Sequence, residues 1–118
     1  MKNEIRILVI ILGLPLMVSC VPQKTLYNWG KYQEAGYQYI KKNTDQDLEK
    51  LLQAYQYVID NQKTGRMTVP PGIYADYGFF LVKQGKVEEG LKLMKMEVAL
   101  YPESAVFMNR IIKRIEEQ

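Results

Sequence analysis

The chain has 118 residues, 47% of them hydrophobic and 25% charged, with one cysteine and no histidine. That length supports one folded domain, and the composition is globular rather than disordered or collagenous. Without histidine, a Ser-His-Asp triad, a Cys-His pair and a histidine metal site are excluded; a single cysteine excludes an internal disulfide and a cysteine zinc finger.

In chain order, residues 1–19 read as a targeting segment. Lys2 and Arg6, with Glu4 between them, precede an apolar run from Ile7 to Val18. Gly13 and Pro15 break that run, which is too short to span a bilayer. Leu16-Met17-Val18-Ser19-Cys20 then resembles a bacterial lipoprotein box, departing from it at Met17, where Leu is usual. The expectation is a signal peptide over 1–19, lipid on Cys20, a tether over 20–25 and a folded domain over 26–118. A plain signal peptide beside an incidental cysteine is the alternative. Two or more acyl chains give stable anchoring. Val21 is not the Asp that favours inner-membrane retention in enterobacterial lipoproteins. The resemblance therefore implies the outer membrane, periplasmic face. Residues 21–25 reach at most roughly 17 Å, so the domain stays close to the membrane. Without Lys2, Glu4 and Arg6 the chain is nearly neutral, which gives no electrostatic basis for nucleic-acid binding.

Five helical segments follow, with no sustained strand alternation. The first is predicted over 28–42, with Trp29, Tyr32, Gly36, Tyr39 and Ile40 on one side and Asn43 as its stop. The second spans 45–61 behind a Thr44/Asp47 capping box, with Leu48, Leu51, Leu52, Tyr55, Val58 and Ile59 on its apolar face. A loop over 62–69 leads to Pro70-Pro71-Gly72, with Thr68 as the candidate cap. The third segment spans 71–84, with Ile73, Tyr77, Phe80 and Leu81 on one face and Gly85 as a left-handed stop. The fourth spans 87–100, with Val87, Leu91, Met94 and Val98 inward, and Pro102 ends it. The fifth spans 103–116, with Ala105, Met108, Ile112 and Ile115 inward, widened by Phe107 and Ile111. The expected core is Leu51, Leu52, Tyr55, Ile59, Tyr77, Leu81, Leu91, Met94 and Ile112.

Segments three and four have the spacing of a tetratricopeptide repeat. Tyr74 stands at its first aromatic position, Tyr77-Gly78 at the Leu-Gly pair and Leu81 at the next large position. Gly85 is the turn, Gly90 the small contact residue, Met94 its bulky partner and Pro102 the closing proline. Glu97 departs from the pattern, which has Ala there; either the helix is rotated or the carboxylate faces a groove. Segments one and two read as a longer, degenerate repeat, with Trp29-Gly30 echoing Tyr77-Gly78, and segment five as a capping helix. The predicted fold class is all-α, a tetratricopeptide-like helical-hairpin array of about five helices; an ordinary five-helix bundle is the alternative.

Several stretches also resemble one family: 26–32 (LYNWGKY), 69–78 (VPPGIYADYG), 100–104 (LYPES) and 111–115 (IIKRI). Together they are similar to a family of short bacterial lipoproteins built on a domain of unknown function, numbered forty-eight ten. The resemblance implies no catalytic residue. It implies a gene neighbourhood with a curli-secretion-channel-like lipoprotein and a second small lipoprotein, and hence such envelope lipoproteins as expected partners.

Nine tyrosines and one tryptophan are many for this length. They read either as an aromatic groove for a glycan or extended peptide, or as packing that keeps hydroxyls wet. The candidate binding surface is Trp29, Tyr37, Tyr39, Tyr57, Tyr74, Asp76 and Glu97. Asp76 either meets a partner, bonds the 68–72 loop or complements a helix N-terminus. Arg110, Lys113 and Arg114 form a basic cluster at helical spacing, a solvated face or a contact for anionic lipid or glycan. No catalytic residue, metal or cofactor is predicted. The expected role is a non-enzymatic subunit or adaptor of an envelope complex, with an envelope-glycan binding module as the alternative.

Overall fold

The structure is a computed structural model that describes residues 1–4, 24–63 and 65–118. The expectations for Cys20 and for most of the signal segment and tether fall outside the described residues. From Lys24 onward five α-helices form, α1 (Tyr32–Lys42), α2 (Asp45–Asp60), α3 (Ile73–Lys83), α4 (Val87–Leu100) and α5 (Ala105–Glu116), with a short 3-10 turn at Pro102–Ser104. No strand occurs among the described residues. The fold is an all-α helical-hairpin array, as the sequence periodicity predicts. No helix among the described residues is long and apolar enough to cross a membrane.

Local chemistry sets most helix ends. Thr44 has extended backbone, and its hydroxyl accepts from the Asp47 N–H at 3.1 Å while donating to the Asp47 carboxylate at 2.6 Å. Such a cap contributes about 1 kcal/mol and starts α2 where expected. Asn43 takes the left-handed conformation (φ 50°) that closes α1, and Gly85 (φ 83°) turns the chain from α3 into α4.

Three boundaries differ from expectation. Helix α1 begins at Tyr32, because Gly30 is left-handed (φ 49°) and residues 26–31 are held by the end of α2 instead. Asn28 N–H donates to Gln62 Oε1 at 3.0 Å, and Gln62 Nε2 donates back to Asn28 O at 2.7 Å and to Val58 O at 2.9 Å. Helix α3 begins at Ile73, with Pro71 in the turn before it; Thr68 does not cap it. The fifth segment opens as the 3-10 turn after Pro102 and becomes α-helical only at Ala105.

The core has two parts. Leu51, Tyr55, Val58, Val69, Ile73 and Tyr74 form the first, flanked by Trp29, Tyr32 and Tyr39 of the N-terminal hairpin and by Tyr77 and Phe80. Met94, Met108 and Ile112 form the second, between α4 and α5. Of the expected core, Leu52, Ile59, Tyr77 and Leu91 are only half-buried, while Val58, Ile73 and Met108, expected on the inward faces of their helices, are fully part of it. Ile40 (83% exposed), Val87 and Phe107 point outward, against expectation. Ile40 lies on the edge of the α1 stripe that faces solvent, and Val87 sits in the first, open turn of α4.

Helices α3 and α4 meet along glycine. A Cβ on Gly78 would lie 2.6 Å from the Gly90 carbonyl, and one on Gly90 would lie 2.5 Å from the Gly78 carbonyl. Nothing larger than hydrogen fits there, which is the close approach that the repeat spacing requires. The expected echo at Trp29-Gly30 does not hold. Gly30 precedes α1 and packs under the Tyr57 ring.

Candidate functional site

The tyrosines are mostly structural. An aromatic run passes through the array as neighbouring pairs: Tyr27 with Trp29, Trp29 with Tyr32, Tyr32 with Tyr55, and Tyr55 with both Tyr77 and Phe80. Tyr39 joins it edge-on to Phe80 at 5.6 Å. Tyr55 and Tyr77 stack nearly parallel, 9° apart, with centroids at 5.5 Å. Burial first, and then the neighbouring Tyr32, pushes the Tyr55 phenol well up from its ordinary value. Burial likewise raises Tyr74, Tyr77 and Tyr101, so these phenols stay neutral at any physiological pH.

The seven candidate surface residues therefore do not form one site. Tyr74 is buried (8% exposed), and Glu97 is more so (3%). Trp29 and Tyr39 pack on the first core. Tyr37 is exposed on α1 with Lys41 over its ring. Asp76 stands at the solvent edge of α3, and no side-chain hydrogen bond ties it to the 68–72 loop among the described residues. Crowding by protein, with loss of hydration, raises its carboxyl above the ordinary value.

Glu97 faces neither a groove nor solvent. Its Oε1 accepts from the Gly72 N–H at 2.7 Å, so a carboxylate of α4 caps the start of α3. Negative charge at a helix N-terminus is favourable, and one orphan N–H is satisfied. Its Oε2 is buried and has no hydrogen-bond partner among the described residues. Beside it, Tyr101 Oη donates to the Val69 carbonyl, which fixes the loop against the end of α4. The sequence signal was there, an acidic residue at a small-residue position, but its partner lies 25 residues earlier.

The candidate that lines a cleft is Tyr57. It lies in a cleft of about 750 Å³ between α1 and α2. Lys31, Glu34, Gln38 and Lys42 line it from the α1 side, and Asp47, Lys50, Gln53 and Tyr57 from the α2 side, with Gly30, Ala35 and Ala54 completing the lining. Gly30 admits the Tyr57 ring because it has no Cβ; a methyl there would lie 2.5 Å from two ring carbons. Sequence reasoning missed the polar lining of this cleft, since Lys31, Gln38 and Gln53 lie off the apolar faces and no local pattern marks them. A shallower depression of about 540 Å³ runs along α4 past Glu88, Leu91, Lys92, Lys95, Met96 and Ala99. Among the described residues no group of three or more His, Cys, Asp and Glu side chains could hold a metal ion.

Fold and site together define a small helical-hairpin protein whose open feature is an interhelical cleft. The chain belongs to the family described as a domain of unknown function, DUF4810, which matches residues 26–111. That match runs from the residues just before α1 into α5. No curated protein and no solved structure matches the chain.

Proposed function

We propose that this chain is a non-enzymatic lipoprotein, anchored through Cys20 at the periplasmic face of the outer membrane, and that it serves as a subunit or adaptor of an envelope protein complex. The cleft between α1 and α2 is the observation that carries the proposal. It is an open groove between two helices, lined by Lys31, Lys42 and Lys50 against Glu34 and Asp47, with Tyr57 as its one aromatic wall. Mixed charge, amides and a single exposed ring suit a helical or extended segment of a partner protein. A glycan platform would need several exposed rings side by side, and here Trp29 and Tyr39 are engaged in packing.

The test places a photo-crosslinking residue at Gln53, inside the cleft, and at Lys92 on α4 as a control. The expected outcome is a discrete adduct from Gln53 alone that disappears on Tyr57→Ala at unchanged melting temperature. A curli-secretion-channel-like envelope lipoprotein is the first partner to examine, as the family resemblance implies. Retention on purified peptidoglycan, abolished by Tyr57→Ala, would replace this reading with the glycan one.

A further inference from the structure

One end of the array differs in character from the other. The Asn28–Gln62 exchange brings the start of α1 to the end of α2, the Leu26 carbonyl accepts from the Arg66 N–H at 3.0 Å, and the Tyr101–Val69 bond adds the end of α4 and thus the start of α5. Lys24, two residues before Leu26, lies at this same end. Here Leu26 (57% exposed), Met67 (72%), Leu100 (41%), Val106 (71%) and Phe107 (67%) all project into solvent. Met67 does so from the tip of the 62–69 loop in the left-handed conformation (φ 53°). That conformation is uncommon for a non-glycine residue and marks a strained, outward-held side chain. Exposed Lys24, Lys63 and Arg66 stand among these apolar groups, and Arg110 follows one turn into α5. The acids of this end are Asp60, which Gln56 engages, together with Glu103 and with Glu34 and Asp76 in the first turns of α1 and α3; Glu97 is internal.

We infer that this end docks onto an anionic phospholipid surface, with Leu26, Met67, Val106 and Phe107 entering the headgroup region and Lys24, Lys63, Arg66 and Arg110 meeting lipid phosphates. Projecting apolar side chains ringed by cations are what an anionic bilayer interface binds. The outward face of α5 extends the cationic part through Lys113 and Arg114, since positions 106, 107, 110, 113 and 114 share one side of a helix. The inference rests on the reading of Cys20 as lipidated. Cys20 lies four residues before Lys24, so a lipid there would hold this end, and not the opposite one, against the bilayer. The α1–α2 cleft then runs up the side of the standing array, from Gly30 and Tyr57 near the docking end to Lys42 and Asp47 at the far end.

The test uses the full chain as processed by cells and purified from membranes, mixed with vesicles of phosphatidylcholine alone or with added phosphatidylglycerol. A polarity-sensitive thiol label is placed at Val106→Cys, and at Ile40→Cys on the opposite end. With phosphatidylglycerol, the Val106 label should shift to the blue and lose access to aqueous iodide, while the Ile40 label stays wet. Arg66→Glu and Arg110→Glu should each weaken that protection by about fivefold or more. Equal iodide access at the two positions would overturn the inference. So would protection of Val106 without vesicles that grows with protein concentration, which would assign the end to a second copy of the chain. The anchoring reading fails separately, if unsubstituted protein accepts the label at Cys20. The docking comparison is then made on the Cys20→Ser background, where the same two outcomes decide it.

Discussion

In the α3–α4 hairpin the backbones touch at Gly78 and Gly90, whereas the α1–α2 hairpin is held by aromatic side chains on one side and the Asn28–Gln62 exchange at one end. The α1 glycine that faces α2, Gly36, would place a Cβ at an ordinary 4.0 Å from Leu51. The two hairpins have the same connectivity but different openness. Helices that close on glycine fill the space between them with their own backbone. Helices that lean together through large rings on one side leave the other side open, and the cleft beside Tyr57 is that open side.

The comparison can be broken most forcefully in the tighter hairpin. Met94→Ala removes a side chain that is 1% exposed at the junction of α3, α4 and α5. It should cost about 2–5 kcal/mol, seen as a fall in melting temperature. Gly78→Leu pushes against the Gly90 carbonyl and Met94, and should cost about 1–3 kcal/mol or more. A neutral outcome for Gly78→Leu would mean that glycine closure does not distinguish the hairpins.

In the looser hairpin, Gln62→Ala cuts both bonds to Asn28 and the bond to Val58 O. The site is half-buried, so water replaces part of the loss, and about 1–2 kcal/mol is expected. Hydrogen exchange should rise at residues 26–31 before it rises in α3 or α4. Faster exchange throughout would show that the two hairpins open as one unit.

The smallest effect comes from Asp76. Its folded pKa lies above the ordinary 3.8, so folding favours its protonated form. The stability associated with it is fully present below that value and is lost as pH rises through the raised one. Asp76→Asn should therefore gain stability near neutral pH and gain nothing in acid. Because the residue is at the solvent edge, the gain should stay within about 0.5 kcal/mol after screening. Melting curves at the two pH values check the sign.

Helix positions were legible wherever the signal was local. The Thr44/Asp47 box, the period-3.6 face of α2, the Gly85 turn and the Gly78/Gly90 pair all act within a few residues or within one hairpin. What failed was non-local. Residues 28–31 look helical by spacing, yet their backbone is claimed by Gln62, 34 positions away. Thr68 has the chemistry of a cap, but Glu97 reaches Gly72 instead. The aromatic positions gave no single answer, because a tyrosine in a groove and a tyrosine in a wet-edged core share one spacing. Three-dimensional packing separated Tyr57 from Tyr55, two residues away on the same helix.

The Glu97–Gly72 bond bears on the order of assembly. Helix α3 carries no side chain of its own that caps its first turn, and its start is completed only when the far end of α4 arrives. A nascent α3 is therefore a poor helix alone, since short helices nucleate at a cost that a cap would relieve. Chain emerging through residue 84 would hold α3 frayed at its N-terminus. Reaching residue 97 would close the pair in one step, with the glycine contact and the carboxylate locking together. On this account the hairpin, and not the helix, is the smallest piece of the protein that folds.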